Sequence, residues 1–171
     1  MAQAMSYIRV TSTAELDTHT LAAVRALLEG AFTGGFSQDD WDHTLGGLHA
    51  LAYCDADLVG HGSVVARRLE LNGRPVAAGY VEGMAVAESH RRRGFGAAIM
   101  RALEDHIRSA CELGALAATD YAAAFYVQRG WVRWTGPTEP DGGGAVYVLA
   151  VSVPIDPAAT LAADWRSGDV W

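Results

Sequence analysis

The chain contains no lysine: all thirteen of its basic residues are arginine. It can therefore form no side-chain Schiff base, and it lacks the Lys-Ser/Thr pair that a phosphate-binding P-loop requires. Cysteine is nearly as scarce. Cys54 and Cys111 fall inside apolar patterns, with neither a CxxC pair nor a metal-ligand spacing, so both read as core thiols and no metal is expected. Positive charge is in deficit too, since twenty acidic residues leave a net charge of −7. That balance argues against a nucleic-acid partner and suits a cationic one. There is no membrane-length apolar run and no signal peptide, so a cytoplasmic protein without a membrane partner is expected. With 171 residues, half of them hydrophobic, the chain suffices for one well-cored domain over 1–171.

What is present is organised around one stretch. A strand pattern, Gly79-Tyr80-Val81-Glu82-Gly83-Met84-Ala85-Val86, runs into Arg91-Arg92-Arg93-Gly94-Phe95-Gly96, and a helical pattern follows from Ala97 to about Leu113. Its apolar stripe is Ile99, Leu103, Ile107 and Cys111, with Gly114 placed to end it. A helix N-terminus carries about half a positive charge, so three arginines beside it repel one another unless an anion sits there. Gly94 and Gly96 let backbone N–H groups approach phosphate oxygens closely. A dinucleotide fingerprint needs a third glycine, which Gly94-Phe95-Gly96-Ala97-Ala98-Ile99 lacks.

Elsewhere, Ile8 to Val10 reads as a strand, and Ser12-x-x-Glu15 as a capping box for a helix through about Gly30. Ser37 caps a shorter helix bearing Asp39, Asp40, Trp41 and Asp42. Leu48 to Val59 and His61 to Leu71 read as strands. Asn72-Gly73 is a hairpin signal that makes the next strand, Val76 to Val86, antiparallel to its predecessor. A glycine inside a strand often marks a bulge, and Gly83 is the candidate. Ala115 to Ala118 forms a buried strand, Thr119 or Asp120 caps a helix to Gln128, and Gly130 ends it. Trp131 to Trp134 and Ala145 to Val153 are the last strands, separated by a turn-rich interval from Gly136 to Gly144. The pattern is α+β, with helices among largely antiparallel strands.

Two residues stand out chemically. Glu82 lies in an otherwise apolar strand, where an acid is costly unless it is paired or faces a solvated cavity, so it is a candidate base acting through ordered water. The N–H of Met84, just past the bulge, is a candidate oxyanion donor.

Arg91, Gly94 and Gly96 resemble the Arg/Gln-x-x-Gly-x-Gly/Ala loop of the GCN5-related N-acetyltransferases, and Phe125-Tyr126-Val127-Gln128-Arg129-Gly130-Trp131 resembles the ending of that family's last helix. Three further blocks resemble the aminoglycoside 2′-N-acetyltransferase branch: Phe36 to Leu51, Gly79-Tyr80-Val81-Glu82-Gly83, and Asp164-Trp165-Arg166-Ser167-Gly168-Asp169-Val170-Trp171. The resemblance implies a mostly antiparallel twisted central sheet flanked by helices, with a bulged strand opening an acetyl-CoA cleft. It implies coenzyme contacts from Met84, Ala85, Val86, Arg91, Arg92, Arg93, Gly94, Phe95, Gly96, Ala97 and Tyr126. Tyr126 would be the acid for the departing sulfur. Aminoglycoside contacts would come from Asp40, Trp41, Glu82, Ala117, Asp169 and Trp171, the last through its carboxylate. A homodimer is also implied.

The chain departs from that branch where relatives have acids and it has Gly35 and Gly142, and where they have serines and it has Ala117 and Ala118. Fewer acids suit a less cationic ligand, so kasugamycin is expected ahead of gentamicin or tobramycin. Acetylation of another small amine or a protein N-terminus, and non-catalytic acetyl-CoA binding, are the alternatives.

Overall fold

The computed structural model describes residues 5–142 and 144–171. Its elements are β1 Ser6–Ser12, α1 Thr18–Ala31, α2 Gln38–His43, β2 Leu48–Cys54, β3 Asp57–Leu71, β4 Arg74–Val86, α3 Phe95–Ala110, β5 Leu113–Ala118, α4 Ala123–Val127, β6 Val132–Arg133, β7 Thr138–Glu139, β8 Ala145–Ala150 and β9 Leu161–Ala163. Gly143, inside the turn-rich interval, lies outside the described residues. The fold is α+β, and its strand pairings are mostly antiparallel. Contacts group the chain into two compact units, and β3, β4 and α3 each contribute residues to both. Among the described residues, no helix is long and apolar enough to cross a membrane.

The first unit comprises residues up to Val65 and Glu82–Asp105. Within it β1 pairs antiparallel with β2, from Ser6 opposite Cys54 to Ser12 opposite Leu48. β2 pairs antiparallel with the first part of β3, with a register shift between Ala52 and Tyr53. Helix α1 presents Val24 and Leu28 to a core that includes Leu16, Trp41, Leu51 and Ala85. Emptying a buried leucine site such as Leu28 typically costs about 2–5 kcal/mol. Helix α3 lies so close to β3 that a Cβ at Gly62 would stand 2.8 Å from Ile99 Cγ2 and 3.0 Å from Leu103 Cδ1. Only a residue without a side chain fits under that helix.

The second unit comprises Ala66–Val81 and His106–Trp171. Here β4 pairs in parallel with β5 over Ala78 to Tyr80, opposite Leu113 to Ala115. β5 and β6 each pair antiparallel with β8. β9 pairs antiparallel with the end of β3 and parallel with β7. Trp131, Tyr80 and Tyr147 are the largest fully buried side chains of this unit.

Four expectations about the elements are corrected. The Ser12–Glu15 capping box exists, but it closes only the 3-10 turn Thr13–Glu15; helix α1 starts at Thr18 under Asp17, whose carboxylate accepts from the Thr20 N–H at 2.7 Å. The strand break falls at Asp55, which has a left-handed φ of 54°, and not at Gly60. Gly114 does not terminate α3. It lies in β5, where a Cβ would meet the Trp131 ring at 2.9 Å, so its small size admits an indole. The last strand stops at Ala150, and two very short strands, β7 and β9, join the pattern.

Candidate active site

In the first unit, the loop from Arg91 to Gly94 turns the chain into the 16-residue helix α3. Arg92 and Gly94 both have left-handed φ, 59° and 88°. Alternating hand along a loop aims successive N–H groups the same way, which is how backbone forms a concave anion site. Arg91, Arg92, Arg93 and Gly94 are exposed, while Phe95 is buried with the Arg93 guanidinium 5.7 Å over its ring. The Arg91 Nε donates to the Val86 carbonyl at 3.2 Å, bracing the loop against the end of β4. The first-turn amides of α3, including Gly96 and Ala97, have no carbonyl one turn earlier to accept them. Exposed cations, helix amides and left-handed turns together form a concave, positively charged surface suited to an anion. A cavity of about 240 Å³ lies beside it, lined by Ser6, Tyr7 and Ile8 of β1 with Arg93, Gly94, Phe95 and Ala98.

The same unit holds Glu82, Met84, Ala85 and Val86 on β4, and Asp40 and Trp41 on α2. Glu82 and Met84 are half-buried, and Ser63 Oγ donates to the Glu82 carbonyl at 3.4 Å. Gly83 between them has φ of 53°, a left-handed residue in the middle of a strand, where the bulge was expected. A Cβ there would be strained by that φ and would meet Thr44 Cγ2 at 2.8 Å. Asp40 is half-buried, and its Oδ2 accepts from the Ser37 N–H at 2.7 Å and the Ser37 hydroxyl at 2.8 Å. Its carboxylate thus caps α2. Trp41 is buried in the core, with Arg25 5.6 Å over its ring, so packing accounts for it without a ligand.

The second unit holds Tyr126, Ala117, Asp169 and Trp171. Tyr126 on α4 is buried with its ring edge-on to Phe125 and Trp131. Burial pushes its hydroxyl up to about 12, against the lowering influence of Arg129, so the phenol stays protonated at neutral pH. Ala117 is exposed on β5.

The C-terminal tail is tied down rather than frayed. Arg67, buried on β3, donates from Nε to Asp164 Oδ1 at 2.9 Å, from Nη2 to the Asp164 carbonyl at 2.7 Å, and from Nη1 to the Val170 carbonyl at 2.6 Å. Its guanidinium and that of Arg166 lie 4.9 and 5.3 Å from the Tyr80 ring centre. Trp171 is buried, its indole N–H donating to the Pro140 carbonyl at 2.6 Å, while Asp169 remains exposed. A Cβ at Gly142 would stand 2.7 Å from Trp171 Cδ1, so that glycine makes room for the indole. At Gly35 a Cβ would meet nothing within 4 Å.

Sequence reasoning passed over three residues of consequence. Arg67 binds the tail, and His49 and His61 are fully buried in β2 and β3. For the histidines the signal was the one that picked out Glu82, a polar side chain inside an apolar strand.

The family model for the acetyltransferase (GNAT) domain matches residues 13–133. An aminoglycoside 2′-N-acetyltransferase of Mycolicibacterium fortuitum is 40% identical over 177 residues, covering 95% of this chain and 91% of that protein. Among solved structures, an acyl-CoA N-acyltransferase from Pseudomonas aeruginosa superposes with a TM-score of 0.66 at 19% identity, covering 85% of this chain and all, 100%, of that one. Eis1 from Mycobacterium abscessus gives 0.63 at 20% identity over 77% of this chain, which spans 32% of that longer protein.

Proposed function

Because the chain belongs to the GNAT acetyltransferase family, we propose that it transfers the acetyl group of acetyl-CoA to the 2′-amino group of an aminoglycoside, kasugamycin ahead of the gentamicin and tobramycin types. When bound, acetyl-CoA supplies the acetyl thioester and its thiol leaving group. The left-handed turns and exposed arginines of residues 91–94, followed by the α3 amides, fit a pyrophosphate. Glu82 accepts the proton of the substrate ammonium through water, leaving a neutral nitrogen to attack. The Met84 N–H stabilises negative charge on the carbonyl oxygen, and the Tyr126 hydroxyl holds the proton that the sulfur takes.

The observation that carries the substrate reading is the anchored acidic tail. Arg67 holds Asp164 and the Val170 carbonyl, leaving Asp169 exposed beside the buried Trp171. Ammonium groups require carboxylates, and fewer are offered here, with glycine at 35 and 142. The occupied space at Gly142 supports the narrower preference, since an acid could stand there only if the Trp171 indole moved.

A thiol-release assay with kasugamycin, gentamicin and tobramycin tests this. Kasugamycin is expected to have the highest kcat/KM, and Glu82→Gln to lower turnover roughly 10²-fold, as for a positioned base. A higher kcat/KM for tobramycin would end the kasugamycin preference alone. No release with any amine would end the aminoglycoside reading.

A further inference from the structure

A single directional chain of hydrogen bonds runs through the core of the first unit. His49 and His61 are both 0% exposed. Thr13 Oγ1 is 2.7 Å from His49 Nε2, His49 Nδ1 is 2.9 Å from His61 Nε2, and His61 Nδ1 is 2.7 Å from the Gly83 carbonyl oxygen. The far end is itself fixed, for the Gly46 N–H donates to Thr13 Oγ1 at 2.9 Å.

The chemistry sets the direction of every link. A carbonyl oxygen has no proton to give, so the His61 Nδ1 carries one and donates. In a neutral imidazole Nε2 is then an acceptor, so His49 donates from Nδ1, and its own Nε2 accepts the one proton of the Thr13 hydroxyl at 2.7 Å, ahead of the Gly47 carbonyl at 3.3 Å. Burial keeps both rings neutral, lowering His49 to about 4 and His61 to about 3. Two imidazoles in a core cost desolvation that apolar residues of equal size would avoid, and this chain spends its last donor on one carbonyl.

That carbonyl belongs to the peptide unit joining Gly83 to Met84. In a planar trans peptide the C=O and the N–H point in opposite directions, so fixing one fixes the other. Anchoring the Gly83 oxygen therefore aims the Met84 N–H away from the core. A hydrogen bond accepted at the carbonyl also polarises the same peptide and strengthens its N–H as a donor. The left-handed φ of Gly83 is what turns this peptide, and Thr44 and Leu28 fill the space that a Cβ there would need.

We propose that Thr13, His49 and His61 form an orienting relay that holds the Gly83–Met84 peptide, making His61 a positioning residue for acetyl transfer. The proposal rests on the reading of the Met84 N–H as the oxyanion donor. Within the relay His61 makes the decisive contact and His49 selects its tautomer.

The test compares His61→Leu, which keeps the volume and loses the donor, with His61→Asn, which retains an N–H near the Nδ1 position. For His61→Leu, kcat is expected to fall at least ~10-fold, below the 10²–10³ typical of deleting an oxyanion donor outright. The KM for acetyl-CoA should stay within about twofold, because the diphosphate loop is untouched. His61→Asn should recover most of the lost kcat. His49→Leu, the second variant should His61→Leu not fold, should lower kcat less. A readout independent of turnover is the Met84 amide resonance in the free protein, which should move in His61→Leu and return in His61→Asn. If His61→Leu lowers the melting temperature but keeps wild-type kcat and an unmoved Met84 resonance, the relay is merely structural and the proposal fails. If no amine is acetylated at all, the proposed function fails separately, and the Met84 resonance still decides the relay.

Discussion

The left-handed kink at Gly83 of β4 and the C-terminal tail are both held by buried side-chain nitrogen donors, but with different electrostatics. At the kink the donors are neutral imidazoles in series, each depending on the tautomer of the one before it. At the tail one guanidinium binds a carboxylate and two carbonyls in parallel. A series of neutral links has a direction and fails at its weakest member, whereas a charged fork has redundancy and no tautomer to lose. The difference suits the proposed tasks, one peptide aimed at a reacting oxygen and several residues kept near a cation.

Acid should break the first device and spare the second, with the largest effect. Burial holds both histidines below the ordinary 6.5, to about 4 and about 3. Between about pH 6.5 and those values the unfolded chain binds protons that the folded chain refuses, so stability falls as pH falls; above about 6.5 the two rings contribute no slope. His61 alone should contribute on the order of 1 kcal/mol per pH unit in that window. Urea unfolding at pH 7.5, 6.0 and 5.0 measures this, and His61→Leu should flatten the slope. An equally steep slope in that variant would mean other groups drive the acid response.

Releasing the tail should leave the kink intact. Arg67→Met removes a fork whose charge-assisted bonds, one to a carboxylate and two to carbonyls, are each worth about 1.5–3 kcal/mol. The KM for the amine should rise roughly tenfold or more, equivalent to about 1.4 kcal/mol, while kcat at saturation changes little. Arg67→Lys should not restore it, because a point charge cannot bind two carbonyls and a carboxylate as a planar fork does. A variant that loses kcat and keeps KM would assign the tail to the chemical step.

The smallest effect is expected at Gly142. An added methyl meets the Trp171 ring at 2.7 Å, so Gly142→Ala should displace the indole and raise the amine KM about two- to fivefold, a small part of the overpacking cost of about 1–3 kcal/mol. Tryptophan fluorescence would report the same displacement. Unchanged emission with unchanged KM would show that the tail tolerates movement there.

Local chemistry explains what could be read in advance. The Asn72-Gly73 hairpin, the Ser37 cap of α2 and the glycines of residues 91–96 each signal within a few residues of themselves. Ser12 and Glu15 form the expected box, yet its extent was misjudged, because Asp17 offers a second cap two residues later and wins the longer helix. Gly114 fits a helix stop and a strand equally well in sequence, and only the Trp131 ring against it decides. β7 and β9, two and three residues long, are too short to carry a period. What the two anchoring systems bind had no local signature, since His61 reaches Gly83 across 22 positions and Arg67 reaches Asp164 across 97.

The passage of β3, β4 and α3 between the two units bears on how such a sequence can be shuffled by recombination. Each unit is assembled from separated segments, so no single crossover in the gene exchanges one unit whole and leaves the other whole. A junction after residue 105 would carry all of the first unit, but with it the Ala66–Val81 hairpin of the second. A chimera between diverged relatives would then mix segments of both parents inside the second unit. On the proposed role of the tail, substrate range is therefore more readily altered by point changes there than by trading segments.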